Sequence, residues 1–359
     1  MQLDYITARM AWMVYGASGY TGQLIAELAK ARGQAPVLAG RSAGKVRPLA
    51  EKLGLSWRAF DLDKPDLREV QLVLHCAGPF AHTSRAMVDA CLAARAHYLD
   101  VTGEIEVFES VFAREAEARQ AGIVLLPGTG FDVVPSDCLA ATLKRRLPSA
   151  SSLELAFATR GRASRGTLKT MIENLPRGGL VRRGGKLVRV PAAHVVRQIP
   201  FGDKPRMAMS IPWGDISTAY KSTGIPDITV YMSASAAAIR SARLSRYFAP
   251  LLGLGPVQAF LQKRVEARGA GPGESERARG SVQLWGKVSD GTRSVEETMQ
   301  VPEGYTFTAE AALACALRVL SGAVAPGAWT PSLAFGPDFA ASLPGVRVPS
   351  CGDPNPVRV

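Results

Sequence analysis

The stretch Gly16-Ala17-Ser18-Gly19-Tyr20-Thr21-Gly22 constrains this chain more than any other. It follows the apolar run Ala11-Trp12-Met13-Val14-Tyr15 and precedes Leu24, Ile25, Leu28 and Ala29 at helical spacing. Strand, glycine turn and helix in that order suit a pyrophosphate. Gly16 permits a tight turn, Gly19 lets backbone amides approach phosphate, and Gly22 lets the helix pack close to the strand. The helix N-terminus then offers unpaired N–H groups and a positive dipole end. Ser18, Tyr20 and Thr21 complete the cradle.

The same alternation continues. Strands are predicted at Pro36–Arg41, Ser56–Leu62, Gln71–Cys76, His97–Thr102 and Gly122–Leu126. Helices fall between them at Gln23–Arg32, Ala43–Leu53, Ser84–Ala94 and Val107–Gln120. This repetition predicts an α/β fold with a Rossmann-type doubly wound parallel sheet. The pattern changes near Pro135, where helix Ser136–Arg146 leaves the first domain. Strands at Leu187–Val190, Asp227–Ala234 and Ser281–Ser289 alternate more strongly, which predicts a second α+β domain on a mixed or antiparallel sheet. A helix over Ala309–Leu320 stops at Gly322. The expected organisation is a nucleotide domain over 1–137, a substrate and dimerisation domain over 138–325, and a tail over 326–359 packed back on the body.

Composition narrows the classes. Of 359 residues 47% are hydrophobic and 21% charged, which reads as a soluble globular chain. No run of about 18 apolar residues is present, so no spanning helix is predicted. Met1-Gln2-Leu3-Asp4-Tyr5 lacks the features of a signal peptide, so a cytoplasmic protein is expected. Cys76, Cys91, Cys138, Cys315 and Cys351 are odd in number and lack metal-ligand spacing, so reduced thiols and no metal site are expected. The net charge of +12 favours anionic partners. Nothing matches a nucleic-acid-binding pattern, and none is expected to bind.

The strand ends select the ligand. Gly40-Arg41-Ser42, with Lys45 nearby, closes the second strand where an acidic residue would favour NAD. Arginine there suits a ribose 2′-phosphate, so NADP(H) is the expected cofactor. Asp61, after the third strand, can accept from the adenine amine or serve as a turn cap. Cys76-Ala77-Gly78-Pro79-Phe80 ends the fourth strand beside the switch point, where small residues admit the nicotinamide ribose. Thr102, Gly103, Glu104 and Asp132 follow the fifth and sixth strands and should line the crevice, as ligands or as helix caps.

The second domain offers Ser164-Arg165-Gly166-Thr167 before a helix over Leu168–Leu175, and the polar stretch Ile211–Pro226. The latter is read as a glycine-punctuated loop or hairpin, with Tyr220 and Lys221 as candidate proton donors to a carbonyl that gains charge. Asp132 completes the catalytic candidates. Ala236–Arg268 holds six basic residues and one acid among large apolar side chains, broken near Gly253–Pro256. It reads as a basic amphipathic helix, either packed on its own sheet or resting on a lipid surface.

Tyr15–Gly22, Ala39-Gly40-Arg41, Cys76–Phe80, Tyr98–Glu104 and Gly130–Asp137 together resemble the saccharopine dehydrogenase-like oxidoreductases. The glycine turn alone also occurs in N-acetyl-glutamyl-phosphate reductases, but none of the five cysteines has their Asn-Pro-Gly-Cys setting. Ser164–Thr167, Ile211–Pro226 and Ala328–Phe339 look like the trans-acting enoyl reductase branch. The resemblance implies NADPH-dependent reduction of a carbon–carbon double bond in a fatty-acyl or polyketide thioester, free or carrier-bound, supplied by a partner synthase. Peripheral lipid contact through 236–268 and a homodimer are further expectations. The alternatives are a saccharopine-type amino-acid dehydrogenase acting on an imine, and a non-catalytic NADP- or lipid-binding protein.

Overall fold

The computed structural model describes residues 11–159, 164–174, 178–266 and 271–348. Its first sheet is built from β1 (Ala11–Tyr15), β2 (Val37–Gly40), β3 (Trp57–Ala59), β4 (Val70–His75), β5 (His97–Asp100) and β6 (Val124–Leu126). Between and after these strands lie α1 (Tyr20–Ala31), α2 (Ala43–Leu53), α3 (Phe80–Ala94), α4 (Ile105–Phe112), α5 (Glu115–Ala121) and α6 (Val134–Arg146). The second region comprises β7 (Ser152–Thr159), α7 (Arg165–Asn174), β8 (Gly179–Arg183), β9 (Lys186–Val190), β10 (Val196–Pro200) and β11 (Pro205–Ile211). It continues through α8 (Asp215–Thr223), β12 (Asp227–Ser233), α9 (Ala236–Leu252), α10 (Gly255–Glu266), α11 (Glu274–Arg279), β13 (Ser281–Ser289) and β14 (Ser294–Pro302). The chain then forms α12 (Gly304–Leu320), β15 (Gly327–Ala328) and α13 (Pro331–Phe335).

The first sheet has seven parallel strands in the order β15-β6-β5-β4-β1-β2-β3. Its central strands are buried on both faces, which is why Trp12–Tyr15 and Leu72–His75 are apolar without alternation. The order reverses between β4 and β1, and ligands bind at such a switch point. The second sheet is mixed, in the order β10-β11-β12-β7-β13-β14, with β8 pairing β12 and β9. Only β7 and β12 run parallel within it. Both sheets agree with the fold class read from the sequence.

Helix α6 joins the halves. Val134, Cys138, Leu139 and Leu143 are buried, and a Cβ on Gly286 of β13 would stand 2.6 Å from Leu143 Cδ1. One apolar core therefore runs from the glycine turn through α6 to the inner face of the second sheet. Helix α12 packs on α1, β4 and β5, so a late segment roofs the first sheet. β15 extends that sheet beyond β6.

Four expectations need correction. The predicted third strand shrinks to Trp57–Ala59, because Asp61 turns the chain. Val107–Gln120 is two helices, interrupted at Ala113–Arg114, where Arg114 turns to bond Asp89 and Glu117. Helix α1 begins inside the glycine motif, at Tyr20. Most consequentially, Ile211–Pro226 is neither loop nor hairpin: residues 215–223 form α8.

Candidate functional site

β1 ends at Tyr15 and the chain turns through Gly16 at φ +86, a conformation that glycine adopts cheaply. A Cβ on Gly16 would stand 2.7 Å from Ala77 N, and one on Gly22 would stand 2.4 Å from Gly16 O. The turn is thus pressed against the end of β4 on one side and α1 on the other. Gly16 N and Ala17 N both donate to Ala39 O, at 2.8 and 3.1 Å, which fixes the turn to β2. Helix α1 starts behind Gly19 with no side-chain cap and no acid in its first turn. Its leading amides, at Tyr20, Thr21 and Gly22, are left to an external anion, beside Ser18. A side chain at Gly16 or Gly22 would collide with backbone at the end of β4 or of the turn and push the turn open, so glycine keeps the amides converged and the residues present fit a pyrophosphate.

β2 delivers Arg41 and Ser42 to the same edge. Arg41, Ser42 and Lys45 are exposed, and neither cation has a carboxylate within ion-pair distance among the described residues. Ser42 is the N-cap of α2, yet its hydroxyl bonds no amide of that helix. Asp61 lies past β3; its Oδ1 accepts from Leu62 N at 2.7 Å, which leaves the other oxygen outward.

Across the switch point, Cys76-Ala77-Gly78-Pro79 leads into α3, which begins at Phe80. Glu104 accepts from Phe80 N at 2.9 Å and from Ala81 N at 2.7 Å, so this carboxylate caps α3 with both oxygens. Asp100, wholly buried, accepts from Thr102 N, Gly128 N and Tyr98 Oη. Burial raises its carboxyl to about 6, and those donors hold it from rising further. Burial, then the Asp100 charge, pushes the Cys76 thiol up, so Cys76 stays a thiol. Thr102 Oγ1 accepts from Glu104 N, which leaves Thr102 and Gly103 as the floor of the crevice.

Asp132 stands against that floor. A Cβ on Gly103 would lie 2.7 Å from Asp132 Oδ2. Its side chain has no hydrogen-bonding partner among the described residues. Desolvation, then the charge of Glu104, raises its carboxyl to about 7. Its backbone carbonyl accepts from Trp213 Nε1 at 3.0 Å, which brings the second domain to the same point.

Behind Trp213 a narrow pocket is lined by Phe131, Phe157, Trp285, Ser136 and Asp215. Ser136 Oγ donates to Asp215 Oδ1 at 2.7 Å, while Asp215 Oδ2 is buried without a partner among the described residues. Burial pushes this carboxyl well up, and the Asp137 and Asp132 charges add to that. Asp215 thus lines an aromatic slot with a carboxyl whose ionisation burial disfavours.

Tyr220 and Lys221 sit farther along α8, and neither lines that pocket. The Tyr220 hydroxyl is 3.0 Å from where a Cβ on Gly185 would stand, and Arg182 lies 4.2 Å over its ring. Lys221 Nζ donates to Glu115 Oε2 at 2.6 Å. The Ser164 segment opens α7, where Ser164 N donates to Tyr305 Oη at 2.6 Å. Tyr305 in turn meets Tyr20 edge-on at 5.0 Å. Tyr20 Oη donates to Pro272 O at 2.6 Å and accepts from Arg277 Nη1 at 3.0 Å. Arg277 was not singled out from the sequence, whereas Ser136 and Asp215 fell within the stretches Gly130–Asp137 and Ile211–Pro226 without a role of their own. The only local signal for Asp215 was its place after Pro212-Trp213-Gly214; Arg277 gave none.

Fold and site together define a class: a Rossmann-type NADP-binding domain joined to a second domain on a mixed sheet. Residues 12–126 match the family model for the saccharopine dehydrogenase NADP-binding domain. Among curated proteins, a trans-acting enoyl reductase of Mycobacterium leprae is 33% identical over 148 residues, covering 38% of this chain and 35% of the relative. The mouse saccharopine dehydrogenase-like oxidoreductase is 28% identical over 155 residues, covering 35% of each. The chain thus spans well under half the length of the curated relatives it matches. Among solved structures, the yeast saccharopine dehydrogenase (L-Glu forming) superposes with a TM-score of 0.62 at 13% identity, covering 94% of this chain and 99% of the other. This last likeness concerns the fold.

Proposed function

We propose that the protein is an NADPH-dependent reductase of an enoyl group in a fatty-acyl or polyketide thioester, free or carrier-bound. The observation that carries this is the aromatic slot beside Asp132. Phe131, Phe157, Trp213 and Trp285 accept an apolar chain, and no arginine lines the pocket to receive the several carboxylates of a saccharopine-type substrate. The slot as it stands has room for about one water, so Trp213 must swing for a chain to enter. The names of the mycobacterial relatives support the same reading.

The chain's residues divide the work. Gly16 to Gly22 hold the pyrophosphate, Arg41, Ser42 and Lys45 the 2′-phosphate, and Asp61 the adenine side. Cys76 to Phe80, with Thr102 and Gly103, form the nicotinamide wall. When bound, the reduced cofactor supplies hydride to the substrate β-carbon. Asp132, unpartnered and titrating near 7, donates the proton to the α-carbon. Asp215, held by Ser136, donates a hydrogen bond to the thioester oxygen as charge grows on it. Tyr220, under the Arg182 guanidinium, and Lys221, paired with Glu115, hold α8 in position outside the slot.

The test is NADPH consumption with enoyl thioesters of increasing chain length. Since Asp132 acts in its protonated form, activity should fall as pH rises through about 7. Asp132→Asn should lower kcat about 100-fold or more and flatten that limb. Tight NADPH binding with no oxidation on any enoyl thioester would instead establish a binding protein.

A further inference from the structure

Helices α9 and α10 turn an apolar face outward. Leu244, Tyr247, Phe248 and Leu251 recur at helical spacing, and Leu254 and Phe260 carry the patch across the break. Phe248 is 56% exposed, Leu251 53% and Phe260 57%, where a helix laid on its own sheet would bury them. The flanks are cationic. Arg240 and Arg243 on α9 and Lys263 and Arg264 on α10 are exposed, and none has a carboxylate within ion-pair distance among the described residues. The one acid of the two helices, Glu266, is held by Lys169 at 2.8 Å. The Arg264 guanidinium lies 5.2 Å over the Phe260 ring, a cation at the wet edge of an apolar body.

The inner side of the pair leads toward the crevice. Gln258 Nε2 donates to Ile172 O at 3.1 Å and Gln262 Nε2 to Glu173 Oε1 at 3.2 Å, so α10 lies on α7. Glu173 Oε2 is 3.9 Å from His82 Nε2, in the first turn of α3, the helix that Glu104 caps. One helix separates the exposed face from the nicotinamide wall.

We infer that the α9–α10 face docks on an anionic lipid bilayer and that the acyl chain to be reduced is drawn from it. The second half of this inference rests on the enoyl-reductase reading above. An acidic carrier protein would satisfy the cations but leave six large apolar side chains in water. A second copy packed face to face would set like charge against like, since the only acid of the two helices is already paired with Lys169. A bilayer takes both at once, with apolar side chains below the headgroups and cations among the phosphates.

The experiment is sedimentation of the whole chain with phosphatidylcholine vesicles, with and without phosphatidylglycerol. Binding should require phosphatidylglycerol and weaken about tenfold in high salt. Phe248→Asp combined with Leu251→Asp should abolish it while leaving NADPH affinity unchanged, which shows that the variant is folded. Arg240→Glu with Arg264→Glu, which spares the apolar core of the patch, should also abolish it. Equal binding to both vesicles, or to neither, overturns the proposal. So does a wild-type dimer that the double aspartate variant makes monomeric. Vesicle binding is read without turnover, so docking without enoyl reduction would sink the reaction while sparing the surface.

Discussion

Arg41 stands exposed at the end of β2, beside Ser42 and Lys45, with no carboxylate at ion-pair distance among the described residues. A guanidinium left free at that strand end has an anion as its natural partner. Arg41→Ala should weaken NADPH binding about 10- to 100-fold while leaving NADH near its starting value, as read by fluorescence titration of each. A matched loss for both nucleotides would move the 2′-phosphate contact elsewhere. The place of Arg41 was legible in the sequence because it depends only on distance along one strand from the glycine turn. Asp215 was not. Its carboxyl is pushed up by burial and by the nearby Asp137 and Asp132 charges, brought to it by other segments.

Glu104 shows how one element is ended by another. Helix α3 starts behind Pro79, which offers no side-chain oxygen to its first amides, and a carboxylate from beyond β5 replaces the missing cap. Glu104→Ala should cost about 1–2 kcal/mol in a denaturation titration and raise the Kd for NADPH, because the Cys76–Pro79 wall loses its anchor. Unchanged stability would mean that water caps α3 equally well. Helix α8 carries the complementary lesson. Ser217, Thr218, Lys221 and Ser222 look like loop residues by composition, since such side chains compete for backbone bonds. Here Ser217 Oγ donates to Glu109 and Lys221 to Glu115, so both bond to the first domain and the backbone stays helical.

The whole molecule is held by contacts between distant segments. Arg182 on β8 is buried, yet its guanidinium donates to Ile216 O at 2.7 Å, to Gly185 O at 2.7 Å and to Glu109 Oε1 at 2.6 Å. Glu109 belongs to α4 of the first domain, so a single side chain clamps the two halves beside the site. Arg182→Met should destabilise the chain by about 2–4 kcal/mol, read from the urea midpoint, because two buried carbonyls and a carboxylate lose their donor together. Separate unfolding transitions for the two domains in that variant would show that the clamp couples them.

The sequence by itself determined the parallel nucleotide sheet, the placement of the glycine turn and the exposed arginine that ends β2. Each of these depends on the spacing of residues within one strand–turn–helix unit, and local physics fixes such units. The tertiary structure decided what faces the cofactor from the other side. Asp132 meets Gly103, Asp215 meets Ser136, and Trp213 reaches back to Asp132 across α6. Those pairs join segments far apart in the chain. Their acidity is set by the water that packing removes, a quantity that no residue carries alone.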